Sequence, residues 1–197
     1  IEARKIVKSY LEGTASSHSR LLYINKVFEI LGLGSQILMT LEFEQTYWRT
    51  FLNNALLFKD VKELLEDLRL LEIPLAIVTD LTAQIQYRKM VYFDLDKFFD
   101  YVVTSEESGF DKPHHSSFKL ALEKLQPKGD KIWMIGDDPI ADIKGSKDSI
   151  NAVTFQKIHK GTVIGKGENS PDFSFSNFND LRLLIAKLKK NEPKQPT

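Results

Sequence analysis

The chain has 197 residues, 42% hydrophobic and 27% charged, with 27 Lys and Arg balanced by 27 Asp and Glu. This suits one domain with an elaboration, or a medium and a small domain, able to bury a sizeable core. Zero net charge supplies none of the basic field that binding a phosphate backbone demands, so no nucleic-acid partner is expected. The absence of Cys removes disulfides, a thiolate nucleophile and Cys-ligated zinc, and makes a cytoplasmic setting the expectation. No apolar run approaches the roughly 18 to 20 residues that span a bilayer, so no membrane partner is expected either. The chain opens Ile1-Glu2-Ala3-Arg4-Lys5, charged and without an initiator Met. The expectation is that these 197 residues are not the whole gene product.

In chain order, the first third reads helical. Leu21, Ile24, Phe28 and Leu31 share one face until Gly32 and Gly34 stop the run, and Leu41 to Leu52 carries Tyr47, Trp48 and Phe51. Those aromatics read as helical core and not as substrate contacts. Val61, Leu64, Leu65, Leu68 and Leu71 make an amphipathic helix, and Pro74 to Val78 is an apolar run of strand length. Helix and strand then alternate: helix near 82–92, strand 101–103, helix near 115–125, strand 132–135, helix near 139–148, strand 152–155. A last helix carries Leu181, Leu184, Ile185 and Leu188, and the Lys- and Pro-rich end at 191–197 reads as a flexible tail. Apolar strands separated by helices predict an α/β fold with a Rossmann-like parallel sheet covered by helices. Ligands in such sheets bind beyond the carboxyl ends of the strands.

Three groups lie at such ends. Met134-Ile135-Gly136-Asp137-Asp138-Pro139-Ile140-Ala141-Asp142 places three carboxylates where a strand gives way to a helix. Mg²⁺ takes a few hard oxygen ligands and keeps several waters, so such a cluster suits it. Asp is also a favoured helix N-cap and Pro139 fits a first helical turn, so capping explains one of the three. Thr79 ends the strand before it, where its hydroxyl and the next backbone N–H groups could hold a phosphoryl oxygen; a Thr-Asp pair before a helix is also an ordinary cap. Lys112, restrained by Pro113, could neutralise a phosphate and a nearby carboxylate.

Taken in order, Ile77-Val78-Thr79-Asp80, Gly109-Phe110-Asp111-Lys112-Pro113 and Ile135-Gly136-Asp137-Asp138 with Asp142 resemble motifs two, three and four of the haloacid dehalogenase-like hydrolases. Phe98 to Glu107 resembles the segment leading to that family's lysine, and the likeness covers residues 58 to 188. Residues 1–57 resemble the family's all-helical cap, the type inserted just after the first motif, and 58–190 its α/β core. The resemblance implies a Mg²⁺-dependent phosphatase acting on a small phosphorylated metabolite through an aspartyl-phosphate. Thr79 and Asp80 would bind phosphate with Lys112, Thr79 and Lys112 would serve catalysis, and Asp137 with Asp138 or Asp142 would hold Mg²⁺. His114-His115 departs from the acidic residue more common after Lys-Pro.

The first motif, Asp-x-Asp, has no counterpart before Thr79. Phe93-Asp94-Leu95-Asp96-Lys97 falls after Thr79 and reads as structural. In the family the first strand lies between those bearing Thr79 and Asp137. Without it a gap of about 4.8 Å in strand pairing and two rows of unpaired backbone groups would remain. The expectation is an upstream segment bearing the nucleophile, or a sheet closed in another way. A non-catalytic scaffold that keeps the fold without the nucleophile is the second reading. A true dehalogenase needs no metal, and the acidic cluster argues against it. Receiver domains place their acidic pair first and Lys last, the reverse of the order here. Gly161 to Lys166 is one residue short of a P-loop, Gly165-Lys166-Gly167 lacks a third glycine, the four His have no metal-ligand spacing, and no Gly-x-Ser-x-Gly occurs. Oligomeric state is left open.

Overall fold

The computed structural model describes residues 1–129 and 131–190, with side chains to Lys187; the tail expected at 191–197 lies outside the described residues. Three helices open the chain: α1 (Glu2–Leu11), α2 (Arg20–Ile30) and α3 (Ile37–Asn54). There follow α4 (Val61–Leu70), β1 (Ala76–Thr79), α5 (Ala83–Tyr92), β2 (Tyr101–Thr104), α6 (Ser105–Ser108) and α7 (His115–Leu125). The remainder is β3 (Trp133–Gly136), α8 (Gly145–Ile150), β4 (Val153–Lys157), β5 (Phe173–Phe175) and α9 (Phe178–Lys190). The helix expected near 139–148 begins instead as a wide π-type turn over Pro139–Lys144 before α8. β5 is a strand that the apolar pattern did not reveal, because Phe173-Ser174-Phe175 is too short to show a period. No described helix is long and apolar enough to cross a membrane.

The chain folds as two compact units, Ile1–Leu56 with Ala76–Gln126, and Leu57–Leu75 with Pro127–Thr197. In the first unit α1 packs on α2 and α2 on α3, with Val7, Tyr23, Phe28, Trp48 and Leu52 buried. Its sheet is the parallel pair β1–β2, in register from Ala76 against Tyr101 to Thr79 against Thr104. The α5 crossover between them is what parallel pairing requires, and α7 packs on both strands with Phe118 and Ala121 buried.

In the second unit a parallel sheet of order β3-β4-β5 pairs Trp133 to Gly136 with Val153 to Gln156, and Phe155 to Lys157 with Phe173 to Phe175. Its core gathers Leu64 and Leu68 of α4, Phe155 and Phe175 of the sheet, and Leu181 and Ile185 of α9. The helical spacing of Leu64 and Leu68 and of Leu181 and Ile185 sets two apolar stripes, which is why α4 and α9 pack together.

All pairing is parallel, as expected of alternating helices and apolar strands. Among the described residues, however, no ladder joins β1–β2 to β3–β4–β5, so the strands that end in Thr79 and Gly136 each pair on one side. Burial follows. Val103 of β2 and Phe155 of β4 are almost fully buried, whereas every residue of β1 is half-buried and Ile135 of β3 is exposed.

Candidate functional site

The first cluster lies at the carboxyl end of β1. Thr79 closes the strand, half-buried, and its hydroxyl accepts a long hydrogen bond of 3.4 Å from the Leu81 backbone N–H. It does not cap α5: the residue before that helix is Thr82, whose side chain makes no capping bond, and the Ala83 N–H donates instead to Glu106 Oε2 at 2.7 Å. Glu106, in the stretch resembling the segment that leads to the family's lysine, thus has a structural duty that spacing alone did not show.

Lys112 is drawn to the same end by two contacts more than thirty residues away in sequence. Its backbone N–H donates to Asp80 Oδ1 at 2.9 Å, and its ammonium donates to the Val78 carbonyl at 3.2 Å. Burial pushes the Asp80 carboxyl up from its ordinary value, and the Lys112 charge and N–H pull against that rise. Ahead of Lys112 the chain turns at Gly109, φ 90°, a left-handed conformation that glycine adopts without strain. The Lys112–Pro113 peptide is cis. Thr79, Asp80 and Lys112 are therefore brought together as the sequence order implied, with the Lys112 side chain half-buried and directed at the strand end.

His114 caps α7, its Nδ1 accepting from the Ser116 N–H at 3.3 Å, and its ring contacts those of Phe110 and His115 at a tilt. Asp94 and Asp96 lie in a turn: Asp94 has φ 57° and an ion pair with Lys97 at 2.8 Å, and Asp96 opens a single 3₁₀ turn that buries Phe98.

The second cluster follows β3. Asp142 is buried, and its Oδ2 accepts the backbone N–H groups of Asp137 at 3.0 Å and Asp138 at 3.1 Å. Asp138 is the N-cap of the wide turn, its Oδ1 accepting from Ile140 N at 2.8 Å and Ala141 N at 2.7 Å. The capping reading therefore holds for Asp138. Asp137 points outward, 59% exposed, with Oδ2 3.0 Å from His159 Nε2. Its carbonyl accepts from Gln156 Nε2 at 2.9 Å, and that fully buried amide also bonds the Val163 carbonyl and the Gly165 N–H. Lys157, buried beside Phe58, has its pKa lowered by burial and partly restored by the Asp137 charge.

Gly136 shows how tightly this turn closes. A Cβ there would lie on the Asp142 side chain, within 2.5 Å of its Cβ and Cγ. Glycine is required at that point for close approach, not for backbone freedom.

Among the described residues no three His, Asp or Glu side chains are grouped to hold a cation by themselves. The donor chemistry nevertheless fits Mg²⁺, which asks for one or two carboxylates and keeps water on its other positions. Asp137 and Asp138 are exposed carboxylates on one turn, while Asp142 faces inward and organises their backbone. Sequence reading missed His18, Asp111, Gln156 and His159. Only Asp111 carried a signal, its place beside Lys112.

Residues 14–154, more than half of the chain, match the haloacid dehalogenase-like hydrolase family. The chain is 36% identical over 155 residues to the ribulose-1,5-bisphosphate 5-phosphatase of Halopiger xanaduensis, covering 79% of this chain and 63% of that protein. It is 28% identical over 131 residues to the glyceraldehyde 3-phosphate phosphatase of Methanocaldococcus jannaschii, covering 66% of this chain and 57% of that one. The chain thus spans less than two thirds of the length of these curated relatives. Its fold resembles the crystal structure of a phosphatase of the same superfamily from Thermococcus onnurineus, with a TM-score of 0.69 at 21% identity over 93% of this chain and 78% of that one. The two site turns, the parallel α/β architecture and the sequence match agree: this chain belongs to the haloacid dehalogenase-like hydrolase family.

Proposed function

We propose that the chain is the larger part of a Mg²⁺-dependent, cytoplasmic phosphatase that hydrolyses a small phosphorylated metabolite, with its nucleophilic aspartate carried outside residues 1–197. The observation that carries this reading is the Thr79–Asp80–Lys112 arrangement, a hydroxyl and an ammonium gathered at one strand end by long-range hydrogen bonds. The relatives' substrates, a pentulose bisphosphate and a triose phosphate by their names, support a phosphorylated sugar as the substrate class.

In this reading the Thr79 hydroxyl and the N–H groups after it hold phosphoryl oxygens, and the Lys112 ammonium offsets the negative charge of the phosphate. Asp137 and Asp138 would hold Mg²⁺, with Asp142 keeping their turn in shape. A Mg²⁺ ion held by them would supply charge stabilisation. A carboxylate attacks phosphorus, the ester P–O bond breaks, and the departing alkoxide takes a proton. Water then releases phosphate and restores the carboxylate.

The test is phosphate-ester turnover by the full-length protein with and without Mg²⁺. Lys112→Met and Thr79→Val are expected to raise the Kd for inorganic phosphate at least about tenfold. Asp137→Asn is expected to weaken Mg²⁺ binding, read by calorimetry, and to cut turnover. Phosphate and Mg²⁺ binding without turnover in the full-length protein would replace the enzyme with a non-catalytic binding domain of the same fold.

A further inference from the structure

We propose that His18 is a positioning residue for Lys112, acting through Asp111; its value for phosphate binding rests on the function proposed above, its geometry does not. His18 ends the short 3₁₀ turn Ala15–His18 between α1 and α2, a stretch whose composition advertised no chemistry. Its Nε2 lies 3.0 Å from Asp111 Oδ2, across 93 residues of sequence. The Asp111 N–H also donates to the Gly13 carbonyl at 2.8 Å. Side chain and main chain of Asp111 are thus both tied to the α1–α2 connection, one residue before the lysine.

The other end of this tether is itself held. Arg20 donates to the His18 carbonyl at 3.0 Å, and the Tyr23 hydroxyl bonds the Ser17 carbonyl. The Arg20 guanidinium lies 5.5 Å from the Tyr47 ring centre and 5.8 Å from that of Trp48, so its position is set by the aromatic face of α3. On the near side, the Lys112 N–H reaches Asp80 and the His114 N–H returns to the Asp111 carbonyl at 3.1 Å. The order of support runs from α3 through Arg20, His18 and Asp111 to the Lys112 backbone. A His–carboxylate hydrogen bond, half-buried at the Asp111 end, removes the freedom that a Gly-led loop would otherwise keep, and a small misplacement of a charged group at a reacting centre is costly.

A purely structural role, fastening α1–α2 to the rest of its unit, predicts a different outcome. Amide hydrogen exchange separates them, because the Lys112 N–H is itself in the tether and Val103 N–H, in the core of the same unit, is not. In His18→Ala the Lys112 amide is expected to exchange about tenfold faster, with Val103 changed less than twofold. His18→Gln, which keeps a donor of similar reach, restores protection. Should His18→Ala fail to fold, Asp111→Ala, which removes the carboxylate at the other end of the bond, is read by the same ratio. Lys112 exchange unchanged, or rising in step with Val103, overturns the proposal, as does a His18→Gln variant no better than Ala. Inorganic phosphate then tests the link to function: His18→Ala is expected to weaken it severalfold, and to add nothing in a Lys112→Met background. If Lys112→Met binds phosphate as the wild type does, the phosphate-site reading fails while the exchange result on His18 stands.

Discussion

The lysine turn, which follows α6, and the acidic turn, which ends β3, are built in opposite ways. The acidic turn is closed chiefly by local bonds: Asp142 holds the N–H groups of residues four and five positions before it, and Asp138 holds those two and three positions after it, with Gln156 and His159 added from outside at Asp137. The lysine turn is assembled from afar, with Lys112 tied to residues 78 and 80 and Asp111 to residues 13 and 18. A locally held turn owes its shape to its own composition. A turn held from afar owes it to the packing of the whole unit, and any element of that unit can alter it.

The largest expected effect breaks the local turn from within. Gly136→Ala drives a methyl group into the Asp142 carboxylate, and about 3 kcal/mol of destabilisation is expected, at the upper end of overpacking costs. A urea midpoint within error of the wild type would show that the turn yields easily. Next comes Asp142→Ala, which strands two backbone N–H groups. About 2 kcal/mol should be lost by the same measurement. Asp138→Ala removes only a cap and should cost about 1 kcal/mol.

Lys112→Met probes the other turn and should hardly move the midpoint, by about 1 kcal/mol or less, because its ammonium bonds a carbonyl that is only half-buried. A loss as large as that of Asp142→Ala would erase the contrast between the two turns.

The smallest effect sharpens the comparison through pH. Asp80 has a raised carboxyl pKa, chiefly through burial, so the folded state holds its proton more tightly than the unfolded chain. Such a group lowers stability as pH climbs from the unfolded value of 3.8 through the folded one, and the penalty is complete above that. Asp80→Asn keeps an oxygen for the Lys112 N–H and lacks the titration. The difference in unfolding free energy between variant and wild type should therefore grow in the variant's favour over that window. A difference that is flat with pH would mean that Lys112 fully compensates the buried charge.

Much of this architecture was legible beforehand. Strands β1 to β4 were each found within two residues of their ends, because short apolar runs between helical patterns carry the period of a parallel sheet. The order of Thr79, Lys112 and Asp137 to Asp142 identified the family before any coordinate. The start of the last α/β crossover was read as a plain helix, since nothing in Pro139 to Lys144 distinguishes a wide turn from an α-helical one. Asp142 stood beside Asp138 as a candidate metal ligand, and nothing in the sequence told that its Oδ2 accepts the Asp137 and Asp138 backbone N–H groups.

By itself the sequence determined what is local: helical stripes such as Leu64 with Leu68, the parallel α/β class, and the gathering of Asp137, Asp138 and Asp142 where a strand gives way to a helix. Only the tertiary structure decided the rest. It divided the ladders into sheets of two and three strands, brought His159 and Gln156 to Asp137, and tied His18 to Asp111. The physical reason is the same in each case. Hydrogen bonds between residues far apart in sequence leave no periodicity behind, because the backbone path that brings them together is fixed by packing elsewhere.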